Sequence, residues 1–316
     1  MRRGLVVAAL AAMLVAPGRA YGSFAFGDHD VRNPRLEVDR AGVALVTYAT
    51  QAGAVRHVLA WGAVDAAPHP TEPPVAQQRF RIDYSGGWKS RRDAAFWKTF
   101  RNACRPYGGP PLPFFVAGCT APDGSYWALQ SWQRDLPMRG YAPWTAAQKA
   151  FELHLSHWRE PLPLLDATMA WMYGGVLQGV FGQLLYRGQP VYGTRSPSAA
   201  VVDPFGRNVS IDTFDSSFGP GWRHVTQITT HAGDGGFCYS FVPQPPPAGY
   251  PGTATHGDGL GDRIRLDAVG PGVTPIVQWV GTRLSGPFSA AANAAARRRF
   301  DAILGGDHHC APERPS

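Results

Sequence analysis

The chain has 316 residues, 44% of them hydrophobic, with 30 basic and 23 acidic side chains and a formal charge of +7. That length supports one large or two modest domains with a sizeable core. The charge excess is mild and its basic residues are scattered, which argues against a nucleic-acid-binding protein. Lysine occurs only at Lys89, Lys98 and Lys149, while Ala, Gly, Pro and Arg abound, a pattern that GC-rich codons explain without a functional preference for arginine.

Residues 1–20 read as a secretory signal peptide. Arg2 and Arg3 give a positive start, Leu5 to Ala16 is apolar, Pro17 breaks the run, and Gly18-Arg19-Ala20 supplies small residues for cleavage. Gly22 and Ala25 are alternative cleavage points. The apolar run is shorter than the ~20 residues a spanning helix needs, and no later segment reaches that length, so no transmembrane segment is expected after cleavage. Loss of Arg2, Arg3 and Arg19 leaves 27 basic against 23 acidic residues, a charge of +4. The expected localisation is secreted, extracellular or in the cell envelope.

Three runs rich in β-branched residues come next: Leu36 to Val38, Val43 to Tyr48 and Val55 to Trp61. Turn sequences at 39–42 and 51–53 separate them, which predicts an antiparallel meander. A short helix is predicted near 90–103, opened by a capping box at Ser90 and Asp93, with Phe96, Phe100 and Ala103 on one face and Cys104 at its end. A strand at Phe114 to Ala117, a turn at Ala121-Pro122-Asp123-Gly124 and a strand from Tyr126 to Trp132 follow. Regular pleating puts Trp127 on one face of that strand and Tyr126 and Trp132 on the other, with one face in the core and the other open.

Pro137 to Pro143 marks a border between an N-terminal β-rich subdomain, 21–140, and a C-terminal one, 141–316. Beyond it a helical turn at 146–150 leads to a strand in which Phe151, Leu153 and Leu155 alternate with Glu152, His154 and Ser156. Further strands are expected at 171–173, 184–186, 209–214, 225–230, 237–242, 264–269 and 275–280, with a hairpin across 186–192. An Ala-rich helix near 289–304, ended by Gly305-Gly306, closes the chain. The fold class is mainly β, with antiparallel sheets in a sandwich-like arrangement.

The four cysteines are Cys104, Cys119, Cys238 and Cys310. An even number after a leader predicts two disulfides. Three pairings are possible, and locality favours Cys104–Cys119 with Cys238–Cys310. No C-x-x-C pair and no H-E-x-x-H occurs, so neither metal nor cofactor is expected. His154 and His157 would share a metal only on a helix, because on a strand they point to opposite faces.

Catalytic signals are sparse. No G-x-S-x-G elbow is present. Glycosidases need two acids across a cleft, and Asp212 with Asp215 is the nearest approach, Asp123 and Glu160 being further candidates. Ten tryptophans are the unusual compositional feature. Exposed rings stack on the apolar faces of sugars, and Trp127, Trp132 and Trp222 are the candidate ligand-binding residues.

His57-Val58-Leu59-Ala60-Trp61-Gly62-Ala63, the run Asp123 to Gln130, and Gly219-Pro220-Gly221-Trp222-Arg223 resemble exported proteins of high-GC bacteria that have no assigned function. The resemblance implies export and transfers no site. The expected function is that of an exported extracellular or cell-envelope protein that binds a glycan or cell-wall component, with a secreted, glycosidase-like hydrolase as the alternative.

Overall fold

The computed structural model describes residues 23–63, 80–84, 95–133, 145–159, 161–172, 176–186, 188–190, 194–195, 200–201, 211–212, 222–224, 236–243, 263–269 and 274–282, with five further positions between 291 and 302. The first part of the chain forms β1 (Phe24–His29), β2 (Arg32–Val38), β3 (Ala44–Ala49), β4 (Val55–Trp61), β5 (Arg81–Asp83), α1 (Phe96–Thr99), β6 (Arg105–Pro106), β7 (Phe115–Thr120), β8 (Tyr126–Gln133), α2 (Ala146–Lys149) and β9 (Phe151–Trp158). The second part forms β10 (Leu164–Met172), β11 (Val176–Tyr186), β12 (Gln189–Pro190), β13 (Thr194–Arg195), β14 (Ala200–Val201), β15 (Ile211–Asp212), β16 (Trp222–His224), β17 (Gly236–Pro243), β18 (Arg263–Val269) and β19 (Ile276–Thr282). The strand pairings among the described residues are antiparallel. The fold is mainly β, as the alternation predicts.

The expected meander forms as β2-β3-β4, and β5 adds a fourth strand that the sequence pattern did not show. Its β2–β3 turn closes because Asp39 Oδ1 accepts from Ala41 N at 2.9 Å and Val43 N at 3.0 Å, and Gly42 takes the positive φ of 75° that the turn requires. A second sheet runs β1-β9-β8-β7-β6. The two face each other across one core, where Val38, Val46, Tyr48 and Val58 meet Phe26, Trp127, Leu129, Leu153 and Leu155. Alternate residues of β3 and β4 point outward, and there Leu45 and Leu59 receive Phe96 of α1.

α1 is shorter than expected. Phe100 is extended, with φ −61° and ψ 132°, so the helix ends before Ala103 and Cys104. Two tertiary bonds hold this segment along β2. Ala103 N donates to Val38 O at 2.8 Å, and Asn102 Oδ1 accepts from Val38 N at 3.2 Å. Asn102 also takes the Cys104 amide at 2.9 Å, a local competition that disfavours helix. Ser90 and Asp93, the expected cap, lie outside the described residues.

α2 is the predicted helical turn before β9, with a reciprocal capping box between Thr145 and Gln148. β9 pairs between β1 and β8, so the first pair of sheets extends past the Pro137–Pro143 stretch to Trp158. The C-terminal strands form β10-β11-β17-β16, with β12 on β11, and β15-β18-β19. The expected hairpin near 186–192 is β11–β12, Tyr186 facing Gln189. Ala291, Ala294, Ala295, Arg298 and Ala302 are helical and exposed, within the predicted terminal helix. Among the described residues no helix is long and apolar enough to cross a membrane.

The expected disulfide Cys104–Cys119 is formed, with Cα atoms 5.5 Å apart, and ties the segment after α1 to β7. Cys238 lies in β17 opposite Phe181, and Cys310 lies outside the described residues, as therefore does the second expected pair.

Candidate functional site

Chemistry-bearing side chains concentrate on β8 and β9, which pair from Tyr126↔Trp158 to Gln133↔Phe151. The register puts Trp127, Leu129, Leu153, Leu155 and His157 on one face and Gln130, Trp132, Glu152, His154 and Ser156 on the other. The strand therefore sends His154 and His157 to opposite sides of the sheet, where they cannot share a metal.

On the first face, Ser125 Oγ lies 2.9 Å from His157 Nε2, and His157 Nδ1 lies 3.0 Å from Gly62 O. A serine beside a histidine whose far nitrogen is fixed has the outline of a nucleophile–base pair. The proton inventory argues against that role. Gly62 O only accepts, so the neutral His157 ring carries its proton on Nδ1, and the single Ser125 hydroxyl hydrogen goes to Asp123 Oδ1 at 2.6 Å rather than to His157 Nε2. Ser125 is also buried, and Trp127 stacks on the His157 ring at 3.8 Å. Asp123 completes the chain through Arg159 at 2.7 Å. Burial opposes its charge, but the hydroxyl and amide of Ser125, with the Arg159 guanidinium, hold the carboxyl below its ordinary value. This linkage fixes the turn at 121–125 to β9 and to the end of β4.

On the second face, His154 Nδ1 lies 3.3 Å from Ser23 Oγ and its Nε2 lies 3.4 Å from Glu152 Oε2. All three are buried, as are Gln130 and Ser156. Burial pushes the His154 pKa down against the opposing pull of Glu152. Gln130 joins this face to the C-terminal strands: its Oε1 accepts from Ile276 N at 3.0 Å, and its Nε2 donates to Pro113 O at 2.8 Å.

These contacts correct the expectation of one open face. Trp127 is 0% exposed and Trp132 is 1% exposed, so neither indole presents a surface to a sugar. Trp127 fills the core between the two N-terminal sheets, and Trp132 packs with Ile276 and Phe114. Covering both faces of β8 with other strands is the physical cause. Trp222 opens β16 opposite Pro243, and its side chain lies outside the described residues.

Asp212 ends β15 directly opposite Asp267 of β18, a pairing with no counterpart in the sequence spacing. Asp267 is 1% exposed. Asp215 and Glu160 lie outside the described residues.

Two surfaces escaped sequence reasoning. On the outer face of β3 and β4, Trp61, Trp97 and Phe100 are partly buried around Leu45, Leu59 and Phe96. Trp97 lies flat on His57, with centroids 4.2 Å apart and planes 4° from parallel, while Thr47 Oγ1 lies 3.1 Å from His57 Nδ1. Burial lowers the His57 pKa, which favours the neutral ring in this stack. Beside this face, a groove of about 730 Å³ is lined by Asp39, Arg40, Arg101, Asn102, Arg105 and Pro122, with Ala41 and Ala103 completing it.

The chain matches no protein-family model, no curated protein and no solved structure at a significant level. The site must therefore be read from its own chemistry. The described geometry offers buried polar linkages, one partly exposed aromatic surface and one arginine-lined groove.

Proposed function

We propose that the protein is exported to the cell surface or medium and binds a glycan there without cleaving it. The leader at residues 1–20 and the Cys104–Cys119 disulfide support an oxidising destination. The observation that carries the binding reading is the partly exposed Trp97, backed by His57 and neighboured by Trp61 on the outer sheet face. A flat ring held from behind loses little freedom on stacking against a sugar. This surface takes the place of Trp127 and Trp132 in the glycan-binding reading.

The register of Asp212 against Asp267 favours a second reading, a glycosidase-like hydrolase. Directly opposed strand residues hold their Cβ atoms about 5 Å apart. Retaining glycosidases likewise use two acids held close together, their carboxyl groups roughly 5–5.5 Å apart.

One experiment separates the readings. The oxidised protein, secreted from its own leader, is incubated with peptidoglycan and a panel of insoluble polysaccharides. Retained protein and released reducing ends are both measured. Retention without release, weakened by Trp97→Ala, is the expected result. Absence of retention on every polymer overturns glycan binding. Release of reducing ends that Asp212→Asn or Asp267→Asn abolishes establishes the hydrolase instead.

A further inference from the structure

We propose that the groove between the β2–β3 turn and the segment 101–105 is an oxyanion-binding site, built to seat the carboxylate or phosphate groups of an acidic ligand. Arg40 comes from the turn, and Arg101 and Arg105 come from the segment that follows α1. All three are exposed, and their guanidiniums make no ion pair or hydrogen bond among the described residues. Three cations that line one groove without partners among the described residues repel one another, an arrangement that an anion relieves. Guanidinium suits the task because its planar fork pairs bidentately with carboxylate and phosphate oxygens.

Asp39 is the acid among the lining residues, and its one negative charge against three arginines leaves the lining net positive. It is 9% exposed, and its Oδ1 already accepts the amides of Ala41 and Val43.

The arginines stand on fixed backbone. Asn102 and Ala103 bond to both polar groups of Val38, Cys104 is tied to Cys119, and Arg105 pairs with Thr120 in β6–β7. A preorganised frame lowers the entropy cost of binding. The volume of about 730 Å³ lies within the range of small-ligand sites, roughly 300–1,000 Å³. One or a few charged sugar units fit such a space better than a duplex does.

The test is calorimetric titration of the oxidised protein with inorganic phosphate, with an oligogalacturonate and with a neutral dextran oligomer, at low and high salt. Binding of at least one anion, weakening with salt and absent for dextran, is the expected result. Tighter binding of the oligogalacturonate assigns the site to carboxylates, and tighter binding of phosphate assigns it to phosphate groups. Arg101→Ala with Arg105→Ala weakens either anion about tenfold or more, Arg40→Ala weakens it further, and Arg101→Lys with Arg105→Lys restores part of the affinity. Because the three side chains are exposed and unpaired, the unfolding midpoint of the alanine variants matches or exceeds that of the wild type. Anion binding that survives all three alanine substitutions overturns the proposal, as does its absence in the wild type. Trp97→Ala leaves phosphate binding unchanged, so failure here is distinct from failure of the glycan reading.

Discussion

Trp132 lies flat on His154, with ring centroids 3.4 Å apart and planes 10° from parallel. The histidine is 0% exposed, and Glu152 and Ser23 lie against its two nitrogens. A neutral imidazole fits this stack, and protonation must place a cation where water does not reach. Burial lowers the folded-state pKa below that of the unfolded chain, near 6.5. The unfolded chain therefore binds the extra proton first as the pH falls. The contribution of His154 to stability is complete above pH 6.5 and is lost as the pH drops below it toward the folded pKa.

The expected outcome is a urea midpoint that falls between pH 7.5 and pH 5, with a smaller fall in His154→Gln. His57, also shifted down by burial, adds to the same slope, so His57→Gln flattens it as well. An identical pH dependence in the wild type and in both variants would sink this account.

Gln130 clamps two layers of the protein through the Ile276 amide and the Pro113 carbonyl. Gln130→Leu keeps the apolar volume and leaves both backbone groups without that partner. A loss of about 2–4 kcal/mol in unfolding free energy is expected, since each abandoned buried group costs ~1–3 kcal/mol. Hydrogen exchange at Ile276 N should accelerate with it. Unchanged exchange at Ile276 would show that the clamp does not hold β19.

The Cys104–Cys119 bond closes a 15-residue separation in the unfolded chain. Chain entropy predicts a stabilisation of about 3 kcal/mol for such a loop. The double variant Cys104→Ala, Cys119→Ala should lose that amount in urea unfolding of the oxidised protein, and anion affinity in the adjacent groove should fall because Arg105 follows Cys104 directly. A loss well under 1 kcal/mol with unchanged affinity would contradict both statements.

Much of the fold was legible in particular residues. The runs around Val46 and Val58 alternate and are interrupted by Gly42 and Gly53, so β3 and β4 follow from local pattern and turn chemistry. β10 and β11 are longer than the apolar runs at 171–173 and 184–186 suggest. Gln178, Gly179, Gly182 and Gln183 weaken the pattern in β11, while pairing of the two strands extends the ladder from Leu164↔Leu185 to Met172↔Val176. α1 shows the reverse: helical spacing continued to Ala103, and pairing with Val38 overrode it.

The candidate sites were less legible. Asp212 was visible, but its neighbour Asp267 comes from a distant strand. Asp123-Gly124-Ser125 reads as a turn, and nothing local announces that Ser125 meets His157, 32 residues away.

By itself, the sequence determined the β class and the side of the strand on which each residue of β8 and β9 stands, because pleating has a period of two, and it favoured the first disulfide among three pairings because short loops close locally. Only the tertiary structure decided what covers each side. The alternating polar residues Glu152, His154 and Ser156 are buried because other strands cover that face, which alternation does not encode. Arg40 and Arg101, 61 positions apart, line one groove because Asn102 and Ala103 bond to Val38. Such convergence depends on contacts of high sequence separation, and local periodicity carries no record of them.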